Sequence, residues 1–396
     1  MSEVLGGIRL EWKVNTINGE GQYVYRSTSP IDTEYPPEPL ANIPPSVNYY
    51  EDNTVISNVL YYYRIASYSG TEMVMSDEFP IFSAPRGPSF VTGYGFSTGS
   101  DYINNNSVVW TGTSWLMCVN GATGYVSGNG LYFEDMSMPM VDVSYLSCIG
   151  NNVIAGTSSV SYSTSTVSRS TNNGVNWNNS QYFTHNERVW ALGSFSYSNL
   201  FYAYTARGST YYLRYTTDFG VNWTAVSLPF NNNTLRITEE AVLNDTPMCF
   251  LFGNNGFFYY SYDGISWVLG ENMAIFGQII GSTVIKAGQT NRIYVVDHVG
   301  NVAYSEDGIN YIPSTPLNGA PRTFASDGRH VMVAALSDGT LDTSMNYGVT
   351  WYNVPVGSQW DSVSNHGVFY GKGFGWLHLT YGNDGGSNYM RPAVSV

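Results

Sequence analysis

The chain has 396 residues, of which 43% are hydrophobic and only 12% charged, and its 33 Tyr, 18 Phe and 10 Trp exclude disorder and long charged helical arrays. Sixteen Lys plus Arg against 30 Asp plus Glu leave a net charge of −14, which phosphate backbones and anionic bilayers repel. No nucleic-acid partner and no membrane insertion are therefore expected. Cys118, Cys148 and Cys249 each sit in an apolar run without ligand spacing, so they read as buried thiols, with no disulfide framework and no zinc site. The opening Met-Ser-Glu-Val-Leu-Gly-Gly lacks a basic region followed by an apolar core, and no run of about 20 apolar residues occurs. Synthesis in a cytosol without a secretory signal is the expectation.

Apolar residues alternate or come in short runs cut by Gly, Asn, Asp and Ser, which is strand-and-turn grammar throughout. The fold class read from this is all-β. In the first 83 residues, strands are expected at 7–12, 21–27, 47–52 and 59–68, with 73–82 closing the sheet. Tyr35-Pro36-Pro37-Glu38-Pro39 reads as an edge loop, because proline cannot sit inside a ladder. Ser83-Ala84-Pro85-Arg86-Gly87-Pro88 reads as a linker. The boundaries drawn are 1–83 for a first domain, 84–98 for a linker and possible ring-closing strand, and 99–396 for the rest.

That remainder is repetitive. An eight-residue turn motif occurs as Ser170-Thr171-Asn172-Asn173-Gly174-Val175-Asn176-Trp177, as Thr216, Asp218, Gly220 and Trp223 in the same frame, and as Ser344, Asn346, Gly348 and Trp351. A version shorter by one residue occurs as Ser261, Asp263, Gly264 and Trp267, as Ser305, Asp307, Gly308 and Tyr311, and as Ser127, Asn129 and Gly130 leading to Phe133. The first residues are separated by 43, 46, 45, 44 and 39 positions. Ser/Thr and Asp/Asn side chains can cap local backbone N–H groups, Gly supplies left-handed backbone angles, and the aromatic residue plugs a core. The motif is thus a self-capping turn, with structural work for every residue in it.

Upstream of most copies an apolar strand, a tight turn and a second apolar strand recur, at 108–117, 145–154, 279–285, 324–332 and 368–376. Two hairpins, or four strands, repeat about every 40–46 residues, which is the signature of a β-propeller. Seven blades are favoured over six, with 368–376 and a weak turn at 381–385 as a degenerate seventh unit, and with 89–97 supplying a strand to the last blade.

The six motifs closely resemble the Asp-box, or bacterial neuraminidase repeat, of sialidase-like propellers. The first 83 residues resemble a fibronectin type III domain, carried by Leu10-Glu11-Trp12, Tyr23-Val24-Tyr25-Arg26-Ser27 and Tyr61-Tyr62-Tyr63-Arg64-Ile65-Ala66 before Ser69-Gly70. That likeness implies a two-sheet sandwich with Tyr61 or Tyr63 as its buried corner tyrosine. The sialidase likeness would imply an arginine triad opening with Arg-Ile-Pro. Leu235-Arg236-Ile237-Thr238 and Asn291-Arg292-Ile293-Tyr294 lack the proline, and Arg169, Arg188, Arg207, Arg214, Arg322 and Arg329 form no legible triad. Glu239-Glu240 and Glu134-Asp135 are adjacent pairs, whose side chains point to opposite faces of a strand and cannot flank one glycosidic bond. Both pairs read as solvated loop charges. His185, His298, His330, His366 and His378 lack metal-ligand spacing.

The whole chain looks like a structural or adhesive protein of a tailed-bacteriophage virion. The resemblance implies a fibre, collar, tail or capsid-attached component, located on the virion and assembled in the host cytoplasm. Residues 1–83 would dock to other virion proteins, the propeller would meet host-surface glycan, and the chain would oligomerise within the particle. No catalytic, cofactor or metal residue is expected. The alternative is a sialidase-like glycoside hydrolase or depolymerase on the same propeller.

Overall fold

The structure is a computed structural model. It describes residues 8–13, 20–52, 54–55, 59–82, 90–92, 96–97, 107–118, 124–136, 143–157, 166–183, 187–207, 210–226, 228, 235–270, 273, 277–287, 290–329, 331–355, 363–384 and 387–395. It divides into two compact units, Met1–Pro88 and Ser89–Val396. The linker read at 83–88 lies outside the described residues. No α-helix occurs among those described, only two single 3₁₀ turns.

The first unit contains β1 (Ile8–Glu11), β2 (Gly21–Ser27), β3 (Ala41–Ile43), β4 (Tyr49–Asp52), β5 (Leu60–Ser69), β6 (Glu72–Met75) and β7 (Phe79–Phe82). One sheet is β1-β4, and the other runs β3-β2-β5-β6 with β7 also on β5. Their inner faces bury Ile8, Leu10, Val24, Ile43, Tyr61 and Tyr63. Two details differ from the reading above. The three-residue β3 was too short to give a pattern. The expected strand at 73–82 is two strands, because Ser76 interrupts it: its Oγ accepts the Ile65 N–H at 3.0 Å in place of a ladder bond. Of the two candidate tyrosines, Tyr63 is the more deeply buried, and its hydroxyl donates to the Asp52 carboxylate at 2.7 Å. Asp52 also accepts from Arg26 and Thr54.

The second unit holds seven antiparallel sheets among the described residues, here sheets I to VII in chain order. Their innermost strands are Val108–Trp110, Val143–Ile149, Arg188–Phe195, Leu235–Leu243, Ile279–Ala287, Pro321–Ser326 and Val363–Gly371. Sheets I to VI are four-stranded meanders. Sheet VII takes three strands from the C-terminal end, Val363–Gly371, Gly375–Asp384 and Ser387–Ser395. Phe90–Thr92 and Phe96–Ser97 then pair with Ser387–Ser395, with Val91 opposite Val394. The two ends of this unit thus meet in one sheet, so the outer edge of Ser387–Ser395 is not left open.

The sheets pack face to face in sequence, and the last returns to the first. Leu116 and Val143 share a core between sheets I and II, and Leu192 and Ile154 one between II and III. Phe369, Leu377 and Met390 of sheet VII pack with Val108, Trp115 and Met117 of sheet I. A second circuit is polar and runs along the innermost strands. The Cys148 thiol donates to the Trp110 carbonyl, Ser194 Oγ to Cys148 O, Thr238 Oγ1 to Leu192 O, and Ser282 Oγ to the Glu239 carboxylate. Ser326 Oγ donates to Val284 O, Val368 N–H to Thr323 Oγ1, and Trp110 Nε1 to Lys372 O. These seven bonds, 2.7–3.5 Å long, bridge all seven sheet-to-sheet interfaces. A buried hydroxyl needs a partner, and here the neighbouring sheet supplies it.

Two further sequence expectations are corrected. Residues 279–285 form no turn: they belong to one strand, and Gly281 sits at a register shift within it. Residues 381–384 end the second strand of sheet VII and form no box-like turn. The box joins third and fourth strands in the other sheets, and the outer strands of sheet VII come from 90–97, so that hairpin does not exist.

Candidate functional site

The repeated polar residues were the first candidates, and the structure places all six motifs alike. Each closes the outer hairpin of sheets I to VI. The first-position hydroxyl donates to the Asp or Asn Oδ1 two residues on, at 2.7–3.2 Å in Ser127, Ser170, Thr216, Ser261, Ser305 and Ser344. The same hydroxyl accepts the glycine N–H at 2.8–2.9 Å. The Oδ1 then accepts one or two amides beyond the glycine. In Asp307, burial pulls the pKa upward, but the Asn310 and Ile309 amides and the Ser305 hydroxyl outweigh it and bring it down to about 2. Asp218 and Asp263 are lowered in the same way: amide hydrogen bonds overcome desolvation. A carboxylate held ionised by its own turn is a poor proton donor.

The glycines have two duties. Gly308 has φ +76°, and a Cβ there would come within 2.7 Å of Phe250 in sheet IV. At Gly174, likewise at positive φ, a Cβ would meet Leu116 of sheet I at 2.9 Å. The turn of each sheet thus backs onto the sheet before it. The longer motif inserts one left-handed residue ahead of the glycine, at Asn173, Phe219 and Tyr347. The aromatic residues do not all plug equally. Trp267 is 7% exposed and donates Nε1–H to Gly264 O, whereas Trp177, Trp223, Tyr311 and Trp351 are half-buried against the preceding interface.

Glu239 and Glu240 are not solvated loop charges. They lie on the innermost strand of sheet IV. Glu240 accepts from the Ser196 N–H and hydroxyl on the sheet III side, at 2.7 and 2.8 Å. Glu239 turns the other way, accepting Ser282 Oγ from sheet V at 3.2 Å. Burial pushes the Glu239 carboxyl up to about 7. Glu134 and Asp135 are exposed on the outer strand of sheet I. Arg214 pairs with the buried Glu187 through two bonds of 2.9 and 3.1 Å, and Arg292 pairs with Glu306. These two arginines belong to sheets III and V and are each neutralised within their own sheet. The side chains of Arg236 and His366, both on strands, are not among those described, and His185 and His330 fall outside the described residues. His378 is buried in sheet VII. No group of three metal-ligating side chains occurs among the described residues.

The innermost strands of sheets I, IV, V, VI and VII line a solvent-open cavity of about 220 Å³. Trp110, Phe324, Phe369, Tyr370 and Glu239 line it, with Trp115 from the second strand of sheet I. Thr238, Ser282, Thr283 and Ser326 add hydroxyls, of which Thr283 donates to Ser326 at 2.7 Å. Sequence reasoning missed this row. Its signal was present: Cys148, Ser194, Thr238, Ser282 and Ser326 recur at nearly the box period, but in strands where the eye follows the apolar residues.

Together the radial sheets and the returning strand define a β-propeller. No family model matches the chain, and no curated protein matches it. Solved structures do. YCF48 bound to D1 peptide is 13% identical, with a TM-score of 0.54 over 76% of this chain and 95% of that one. Virginiamycin B lyase from Staphylococcus aureus is 10% identical, with a TM-score of 0.57 over 78% of this chain and 100% of that one. The RRP9 WD40 repeats are 10% identical, with a TM-score of 0.53 over the same shares. At such identities the likeness is one of fold.

Proposed function

We propose that this chain is a non-enzymatic structural and adhesive component of a tailed-bacteriophage virion, with the fibronectin type III-like unit docking to other virion proteins and an Asp-box propeller displayed outward. The observation that carries the reading is the commitment of the box residues: their carboxylates, amides and hydroxyls serve their own turns. A scaffold held by repeated self-capping turns, with few charges on its surface, suits a rigid display platform. The sheet order β3-β2-β5-β6 opposite β1-β4 supports the docking unit's likeness to a fibronectin sandwich. Exposed aromatics support adhesion to host-surface glycan: Tyr132 and Tyr262 on box turns and Tyr197 beside sheet III are each more than half exposed. YCF48, seen with a peptide, is a propeller that binds.

The test is a density map and protein inventory of the purified particle. The reading expects this chain at fixed stoichiometry, with residues 1–83 against neighbouring subunits. A particle without the chain would overturn it. The alternative, a glycan-processing enzyme, draws on the Glu239 carboxylate in a cavity and on virginiamycin B lyase as an enzyme of this fold. Release of reducing sugar from host-surface polysaccharide by the full chain, abolished in Glu239→Gln, would favour it.

A further inference from the structure

The cavity between the innermost strands is open to solvent, and its wall carries a carboxylate, several hydroxyls and aromatic side chains. Among the described residues, Glu239 receives hydrogen bonds from neutral donors, the Ser282 hydroxyl and the Glu240 amide, both at 3.2 Å. Among the described residues no Lys, Arg or His forms an ion pair with it, although Arg26, Arg64, Arg214 and Arg292 all find carboxylates. A half-buried carboxylate without a counter-cation costs free energy, and its raised pKa reflects that cost. Trp110 and Tyr370 are half-buried on the same wall, whereas Trp115, Phe324 and Phe369, which also line it, are nearly fully buried in the cores between sheets. Trp110, Trp115 and the nearby Phe374 contact one another at 4.9–5.5 Å between centroids. The Trp115 Nε1 is buried without a partner. Aromatic faces attract cations through their quadrupoles, most strongly where water is excluded, and a carboxylate adds full charge. The volume, about 220 Å³, is below the range of about 300–1,000 Å³ usual for drug-sized ligands. The net charge of −14 raises the local concentration of cations.

We infer that this cavity binds a small organic cation, a primary or quaternary ammonium group, between the Glu239 carboxylate and the half-buried rings of Trp110 and Tyr370. Two features separate this from a greasy pore: the single unpaired charge, and the hydroxyls of Ser282, Thr283 and Ser326 along the same wall. The ligand supplies the missing countercharge. Its charge, more than its shape, determines affinity. The inference stands apart from the virion reading, since it concerns only the ring's own interior.

The test uses the full chain, choline and methylammonium as cations, and 3,3-dimethylbutan-1-ol as the neutral isostere of choline. Binding is followed by calorimetry and by tryptophan fluorescence at constant ionic strength. At least one cation is expected to bind, with the neutral alcohol weaker by about tenfold or more. Glu239→Gln should lose a similar factor while its melting temperature stays at or above that of the wild type. Equal binding of choline and its isostere would overturn the inference, as would undiminished cation binding in a folded Glu239→Gln. Absence of binding for both cations up to roughly 10 mM would overturn it as well. The comparison of charged and neutral ligands needs no variant, so it decides the matter even if Glu239→Gln folds poorly.

Discussion

At the scale of single residues, backbone conformation and proximity act together at the box glycines. Gly308 is left-handed and lies against Phe250 of the preceding sheet, so Gly308→Ala combines strained φ with a steric clash. The expected cost is about 2–4 kcal/mol, read as a lowered denaturation midpoint. Gly328, also at positive φ but with nothing within 4 Å of its would-be Cβ, is the control, and Gly328→Ala should cost only about 1–2 kcal/mol. Glu239 gives a pH prediction. Its folded pKa, about 7, lies above its ordinary value of 4.5, so the native state holds a proton that the unfolded chain releases. Its contribution is therefore favourable at low pH and is lost as pH rises from about 4.5 to about 7. Glu240 beside it on the strand and Tyr202 and Tyr311 across the interfaces are the titratable groups coupled to it, and both tyrosines stay neutral well above this window. Melts across that range should show the wild type losing roughly 3 kcal/mol relative to Glu239→Gln, and parallel curves would contradict this.

At the scale of elements, the turn motif is a spacer between sheets as well as a hairpin closure. Its hydroxyl, acid or amide, and glycine satisfy one another, and its aromatic residue packs on the preceding interface. How much the aromatic matters follows burial. Trp267→Ala removes a nearly buried ring that also contacts Tyr202 at 5.7 Å, and should cost about 3–5 kcal/mol. Trp351 is half-buried and donates to Thr315 O, so Trp351→Ala should cost less, about 1–3 kcal/mol. Reversed order in chemical denaturation would contradict the role assigned to burial. Thr216→Val removes the hydroxyl that serves both Asp218 and the Gly220 amide, leaving a buried N–H unpaired, for about 1–3 kcal/mol. These turns were legible because their capping is local: the hydroxyl, the acid or amide and the glycine find their partners within the box. The hydroxyl row of the innermost strands was harder to see, since Ser194 meets Cys148 and Thr238 meets Leu192 only after the ring forms. Glu239 and Glu240 were misplaced for the same reason. Two adjacent acids suggest a wet loop unless the strand around them is known to be an inner one.

At the scale of the whole molecule, a propeller must solve one problem that no single sheet reveals: what joins the last sheet to the first. The period of the boxes gives the number of hairpins but not the closure, which the sequence reading places in a strand at 89–97. The segment at 90–97 answers it by pairing with Ser387–Ser395 within sheet VII, and Trp110 of sheet I adds a side-chain bond to Lys372 of sheet VII. This arrangement also explains why the seventh sheet lacks a box. Its outer strands come from the start of the unit, so no third-to-fourth turn is required. The first unit was read less completely, because β3 has three residues and the β6–β7 interruption depends on Ser76 reaching Ile65.

The central claim is that the ring is closed by these two distant segments, and a cross-link tests it most directly. Cysteines placed by Val91→Cys and Val394→Cys stand opposite each other in register, while Cys118 and Cys249 are buried and Cys148 is held by the Trp110 carbonyl. Under mild oxidation the folded double variant should form an intramolecular disulfide, seen as a mobility shift on a non-reducing gel, and the shift should vanish when oxidation follows unfolding in guanidinium. A folded variant that forms no such bond, or only links between chains, would contradict the closure.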